Sequence, residues 1–200
     1  MRSLLAVAIL AIAVPAHADN FFDIAGGLSA PVADDNWTKG IDTSPDLQLR
    51  GGALNGDVGA LVGVDWTPES LKNNGFAVPG ASGSGTFHRF RILIQAIAQH
   101  HITPKVSLVG RAGGGIDIAY EGYSFNVLGS TGSHSDTNVG IAFEVGGGVW
   151  ADVSETMQLG AELALPIGYH NHKSSGGTDI AFDYTSFDLD VLVGLRIWSR

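Results

Sequence analysis

The 200-residue sequence predicts an all-β fold, an eight-stranded antiparallel up-and-down transmembrane β-barrel. Three observations predict it. Apolar residues alternate with small or polar ones at period two in segment after segment, as in strands whose two faces meet different surroundings. Short and long connections alternate down the chain, as they do when neighbouring strands are joined hairpin to hairpin. The face that is not apolar is mostly glycine and alanine with isolated charges, a composition unsuited to a solvated sheet.

The first 18 residues, MRSLLAVAILAIAVPAHA, read as a secretory signal peptide cleaved after Ala18. Arg2 supplies the positive start, Leu4 to Val14 the apolar run, and Ala16-His17-Ala18 the small-x-small site. That run falls short of the roughly 20 residues of a spanning helix. The bare Ala-x-Ala site points to a bacterial envelope. Residues 19–200 then form one domain, the barrel. The chain has no cysteine, which excludes a disulfide framework, a thiol nucleophile and a lipoprotein anchor. Charged residues make up 16% and the net charge is −9, which argues against a nucleic-acid partner.

The strands follow in order. FFDIAGGLSA sets Phe22, Ile24 and Leu28 against Asp23, Ala25, Gly27 and Ser29. The second strand, near Pro45 to Leu54, is blurred by Gly51-Gly52. Asn55-Gly56 then turns the chain, since both residues tolerate positive φ. DVGALVGVDW alternates through Val58, Ala60, Val62, Val64 and Trp66, and RFRILIQAIAQ through Phe90, Ile92, Ile94, Ala96 and Ala98. A short reversal at Pro104 leads into SLVGRAGGGIDIAY, and ADVSETM joins NVGIAFEVGGGVWAD to MQLGAELALPIGY. FDLDVLVGLRIW closes the chain with Leu189, Val191, Val193, Leu195 and Ile197 on one face. The long polar connections are APVADDNWTKGIDTS, TPESLKNNGFAVPGASGSGT, EGYSFNVLGSTGSHSD and HNHKSSGGTD.

Lysine is absent from these strands, and the charges of the small-residue face are Asp23, Arg50, Asp57, Asp65, Arg89, Arg91, Arg111, Asp117, Glu144, Glu162, Asp188, Asp190 and Arg196. Guanidinium forks among carboxylates fit an interior charge network. The opposite face is almost continuously apolar, with Phe21, Phe22, Trp66, Phe87, Tyr120, Tyr169 and Trp198 near strand ends, read as aromatic girdles. Lipid is therefore expected against the apolar face. A bilayer then requires a closed barrel, because open edges would leave backbone groups unpaired.

The layout resembles the small eight-stranded outer-membrane barrels typified by the OmpA membrane domain and OmpX, over Asp19 to Arg200. The carriers are the signal peptide, the three short turns, the four long loops, the alternating strands and the closing LDVLVGLRIWSR. The resemblance implies an outer-membrane location, short turns in the periplasm and long loops outside. It also implies outer-membrane lipid, lipopolysaccharide and the barrel-insertion machinery as partners. That machinery reads a terminal aromatic in such families; here Trp198 is out of phase with the apolar face and Arg200 ends the chain.

His170 and His172, two apart, form a candidate metal pair, but no third ligand accompanies them. His172 and Ser174 loosely resemble the pair of barrel-embedded lipid A deacylases, with Asp179 or Asp183 needed as the third member. His100-His101 reads as a polar turn, and the glycine runs GRAGGG and EVGGGV lack the following helix that a phosphate loop needs. Asn36-Trp37-Thr38 is a formal glycosylation sequon that bacterial export makes uninformative. An eight-stranded interior is only wide enough to be filled by side chains. The expectation is a monomer with a plugged polar interior, no cofactor and no enzyme chemistry. Its role is structural or interactive, through four extracellular loops that meet an unknown ligand. The alternatives are a small solute or ion channel, a lipid-modifying barrel enzyme and a soluble periplasmic barrel.

Overall fold

The computed structural model describes residues 18–33, 38, 41–70, 81–127, 130–170 and 184–199. The signal-peptide reading, Asn36-Trp37 of the sequon, and His172, Ser174, Asp179 and Asp183 fall outside those residues. The described residues form eight strands: β1 (Asp19–Ala33), β2 (Ser44–Asn55), β3 (Val58–Ser70), β4 (Ala81–Thr103), β5 (Val106–Val127), β6 (Ser130–Asp152), β7 (Met157–His170) and β8 (Tyr184–Ser199). They form a closed barrel in chain order, each antiparallel to the next. β1 closes on β8, from Asn20 opposite Ser199 to Ala33 opposite Phe187.

The three short turns lie at one end. Gly56 carries the β2–β3 turn at a φ of 64°, the left-handed region that an L side chain resists. Each turn is tied to the following hairpin. The Gln99 amide donates to the Asp57 carbonyl at 2.8 Å, Asp152 to Lys105 at 2.8 Å, and Trp198 to Thr156 at 2.9 Å.

At the other end the structure departs from the expected long loops. β5 runs on to Val127 and β6 begins at Ser130, with paired register from Glu121 opposite Asp136 to Val127 opposite Ser130. Most of EGYSFNVLGSTGSHSD is thus hairpin. The physical reason is local: in the sequence Tyr123, Phe125 and Val127 alternate with smaller polar residues, and Thr131, Ser133 and Ser135 recur at the same period on the partner strand, opposite Asn126, Ser124 and Gly122. β4 likewise begins at Ala81, inside the expected third connection, and pairs with β5 from there. Described pairing of β3 with β4 stops at Ser70 and Thr86, and of β7 with β6 at Tyr169 and Ile141. Among the described residues, β4, β5 and β6 thus continue their pairing further from the short turns than the strands beside them.

Alternation sorts the side chains as the period requires. Val193 is 66% exposed on the outer face, while Arg196 on the same strand is fully buried. Three aromatics assigned to girdles are placed differently: Phe21 and Phe87 are buried inside, and Trp198 packs half-buried against the inner cluster that contains Phe21. Each is in phase with an inward charge two residues away: Asp23, Arg89 and Arg196. Trp66 remains on the outer face, its ring stacked 6.3 Å from Phe90. Leu163 sits midway along β7 with its side chain outward. Leu163→Arg is predicted to lower the unfolding free energy in phospholipid vesicles by about 2–4 kcal/mol, the cost of a cation at mid-bilayer on a barrel's lipid face. Urea titration measures it, and an unchanged midpoint would mean that this face does not meet lipid.

Candidate functional site in the barrel interior

Among the described residues, charged and polar side chains gather inside the barrel, because period two sends every second residue inward from all eight strands. Toward the short-turn end the interior holds an apolar cluster of Phe21, Leu54, Leu61, Ile97, Val109 and Trp150, with the buried polar side chains of Gln99, Ser107 and Gln158 between it and the turns. Above that cluster the interior is ionic.

The first ionic layer centres on two carboxylates. Asp23 on β1 lies opposite Arg50 on β2 and Arg196 on β8. Arg196 grips it with a fork, Nε donating to Oδ1 at 2.7 Å and Nη2 to Oδ2 at 2.9 Å. Arg50 approaches Asp23 at 3.7 Å and reaches across the lumen to β7, its Nη1 donating to Glu162 Oε2 at 2.7 Å. Glu162 also accepts from Arg111 Nε at 3.2 Å and from the Trp150 indole Nε1 at 2.9 Å. Arg111 completes its fork on Glu144, with Gln95 and Gln48 accepting at 3.1 and 3.2 Å.

The second layer surrounds Arg91 with Asp190 at 3.4 Å, Asp65 at 3.6 Å and Asp46 at 3.8 Å. Gln48 and Thr67 donate to Asp46, each at 2.9 Å. The third surrounds Arg89, which donates to Asp117 at 2.7 Å, Asp188 at 2.7 Å, Glu69 at 3.2 Å and Ser186 at 2.7 Å. His170 ends β7 inside this layer, with Nε2 at 3.2 Å from Asp117 Oδ2. Ile41, Phe87 and Ala119 form a small apolar cluster.

Of the charges expected inside, only Asp57 lies elsewhere, exposed in the β2–β3 turn. The correction has a simple cause: the strand begins one residue later, at Val58, so Asp57 precedes the period that was extended through it. Asp46, Glu69 and His170 were missed, although each continues the inward phase of its strand past Gln48, Thr67 and Gly168. Placing His170 in a loop is also corrected, since it is a buried strand residue. Among the described residues no group of three His, Cys, Asp or Glu side chains is arranged to hold a metal ion. His101 pairs with Ser107 Oγ at 2.9 Å at the β4–β5 turn. Both glycine runs lie within strands, β5 and β6.

Removing one partner of a buried ion pair leaves the other uncompensated, so Glu162→Ala is predicted to cost about 3–5 kcal/mol of stability by stranding Arg50 and Arg111. Asp57→Ala, on an exposed turn, is predicted to change it by under about 0.5 kcal/mol. Urea midpoints in detergent micelles compare the two, and equal effects would deny Glu162 its central place.

No family model matches the chain, and no curated protein matches it significantly. Solved structures do. A major outer membrane protein from Thermus thermophilus aligns at a TM-score of 0.54 and 13% identity, covering 92% of this chain and 100% of that one. Ail, the attachment invasion locus protein of Yersinia pestis, aligns at 0.50 and 16%, covering 90% and 99%. Neisserial surface protein A aligns at 0.48 and 15%, covering 90% and 96%. The chain has the fold of the small eight-stranded outer-membrane β-barrels.

Proposed function

We propose that this protein is a monomeric bacterial outer-membrane barrel whose interior is closed to free ion passage and whose task is to present its far end to the exterior. The observation that carries the reading is a lumen filled along its length, by the apolar cluster around Trp150 toward the short turns and by side-chain pairs across the lumen above it. Arg50 on β2 meets Glu162 on β7, and Arg89 on β4 meets Asp188 on β8. Such pairs tie together strands that are not neighbours, and they occupy a lumen that is narrow at eight strands. The continuous apolar outer face and the outer-membrane origin of the similar folds support the location. The short turns then face the periplasm, and the β4–β5–β6 sheet reaches outward with the remaining connections. Outer-membrane lipid and lipopolysaccharide surround the barrel, and the insertion machinery delivers it. The sheet's upper residues are largely Ser, Thr, Gly and Asn, so an outside partner would be met by hydrogen bonding rather than by apolar burial. This reading assigns no enzyme chemistry to the chain.

The test has two parts. The mature chain, folded in a planar bilayer, is expected to show no stepwise currents; regular steps would favour the channel reading instead. Trimming the β5–β6 hairpin from Ser124 to Ser133 is expected to leave the gel-mobility difference between boiled and unboiled protein intact. Loss of that difference would make the hairpin part of the barrel's stability rather than a displayed element.

A further inference from the structure

Two kinds of material fill the lumen, and they present different obstacles to an ion. Buried polar atoms with no protein hydrogen-bond partner among the described residues include Arg50 Nη2, Arg91 Nη1, Asp65 Oδ2 and Asp190 Oδ1 in the ionic zone, Arg196 Nη1 at its boundary, and Gln99 Oε1 and Gln158 Oε1 on the short-turn side of the aromatic rings. Groups of that kind are met by water. The ion pairs around Arg91, at 3.4 to 3.8 Å, are long enough to be exchanged for water contacts. A zone like this is costly to cross only where it is dry.

The layer at the short-turn end is different, and its construction is specific. Trp150 on β6 lies opposite Gly160 on β7, which lies opposite Gly194 on β8. The indole extends over both glycines. A Cβ at Gly160 would stand 2.6 Å from indole Cε3, and one at Gly194 would stand 3.0 Å from Cη2. On the other side Phe21 on β1 lies opposite Gly52 on β2, where a Cβ would stand 2.6 Å from the ring's Cζ. The two rings flank one guanidinium: Arg196 lies 4.3 Å from the Phe21 centroid and 4.5 Å from a Trp150 ring. Leu61 on β3, Ile97 on β4 and Val109 on β5 complete the circle. Every strand thus supplies either an apolar side chain to this layer or the glycine gap that an aromatic ring fills. The indole N–H, its polar handle, is already committed to Glu162.

We propose that this aromatic layer around Trp150, and not the ionic network above it, is the seal that stops ions. An apolar constriction excludes ions by refusing water, whereas the network only offers them competing charges. The inference rests on the reading that the native barrel is closed. A second consequence follows from charge. Nine buried carboxylates face five buried guanidiniums in the described interior, so a barrel opened at this layer favours cations.

The experiment is conductance of the mature protein in planar bilayers under a KCl gradient, with boiled-versus-unboiled mobility confirming that each variant has folded. Trp150→Ala is expected to raise the ion flux about tenfold or more over the parent by wetting the layer, with a reversal potential of potassium sign. Should Trp150→Ala fail to fold, Leu61→Ser puts a hydroxyl into the same layer and carries the test. Asp46→Asn with Asp190→Asn, which loosens the network and leaves the aromatic layer intact, is expected to raise the flux far less than Trp150→Ala does. Network variants that conduct while both layer variants stay silent would overturn the proposal, as would a chloride-signed reversal potential for its charge argument. If the parent itself conducts, the closed-barrel reading fails, but the seal is still judged by whether Trp150→Ala raises that conductance.

Discussion

Everything inside this barrel depends on the pairing of β1 with β8. In lipid there is no water to satisfy a free sheet edge, so the two terminal strands must find each other in a single register. That register sets Asp23 opposite Arg196 at the seam and opposite Arg50 on the other side, so one carboxylate ties three successive strands. A slip of one residue would turn the side chains of one strand over: in β1 it would send Asp23 toward lipid and Phe22 inward, in β8 Arg196 toward lipid and Ile197 inward. The Arg196 fork on Asp23 is therefore more than one ion pair. It is available only when the sheet has closed in the register that puts every other charge inside.

Most of this architecture was legible in the sequence, because the period of a strand is short and unambiguous. The inward charges from Asp23 to Arg196 could be read from phase alone. Errors arose where another habit overrode the phase. Phe21, Phe87 and Trp198 sit near strand ends and were assigned to the membrane boundary by that position, although each shares the parity of a buried charge two residues away. Asp57 fails in the opposite way: its parity is right, but it belongs to the turn. Glu69 and His170 lie just past the strand ends read at Trp66 and Tyr169, because each belongs to a polar run, TPESLKNN and HNHKSSGG, whose composition resembles a connection. What no single strand could reveal is the neighbourhood across the lumen. That Glu162 meets Arg50, or that Trp150 lies over two glycines, depends on the register of strands far apart in the chain.

The interior also shows a vertical division that one-dimensional reading hides. Along β1 the inward series runs from Phe21 through Asp23 to Ala25, and along β6 from Trp150 through Gly148 to Glu144. Each is an apolar ring followed by small or charged residues. Repeated around the barrel in its staggered register, the series becomes an apolar layer below an ionic one. Arg196 belongs to both, with its guanidinium on Asp23 and its flat faces against Phe21 and Trp150. Arginine suits this boundary because its planar cation can bond at its edge and stack on its face.

A charged interior needs a reason, since well-packed apolar side chains often stabilise as much or more. In water the two faces of a sheet are told apart by the solvent. In a bilayer the outer face is already apolar, so an apolar lumen would leave little free energy to decide which face points inward. Charges decide it. Turning Arg50, Arg89, Arg91, Arg111 and Arg196 outward would place each against hydrocarbon, at about 2–4 kcal/mol apiece near the midplane. The nine buried carboxylates add to that penalty. Even where the network contributes little to the depth of the native state, it raises every inverted or slipped alternative above it.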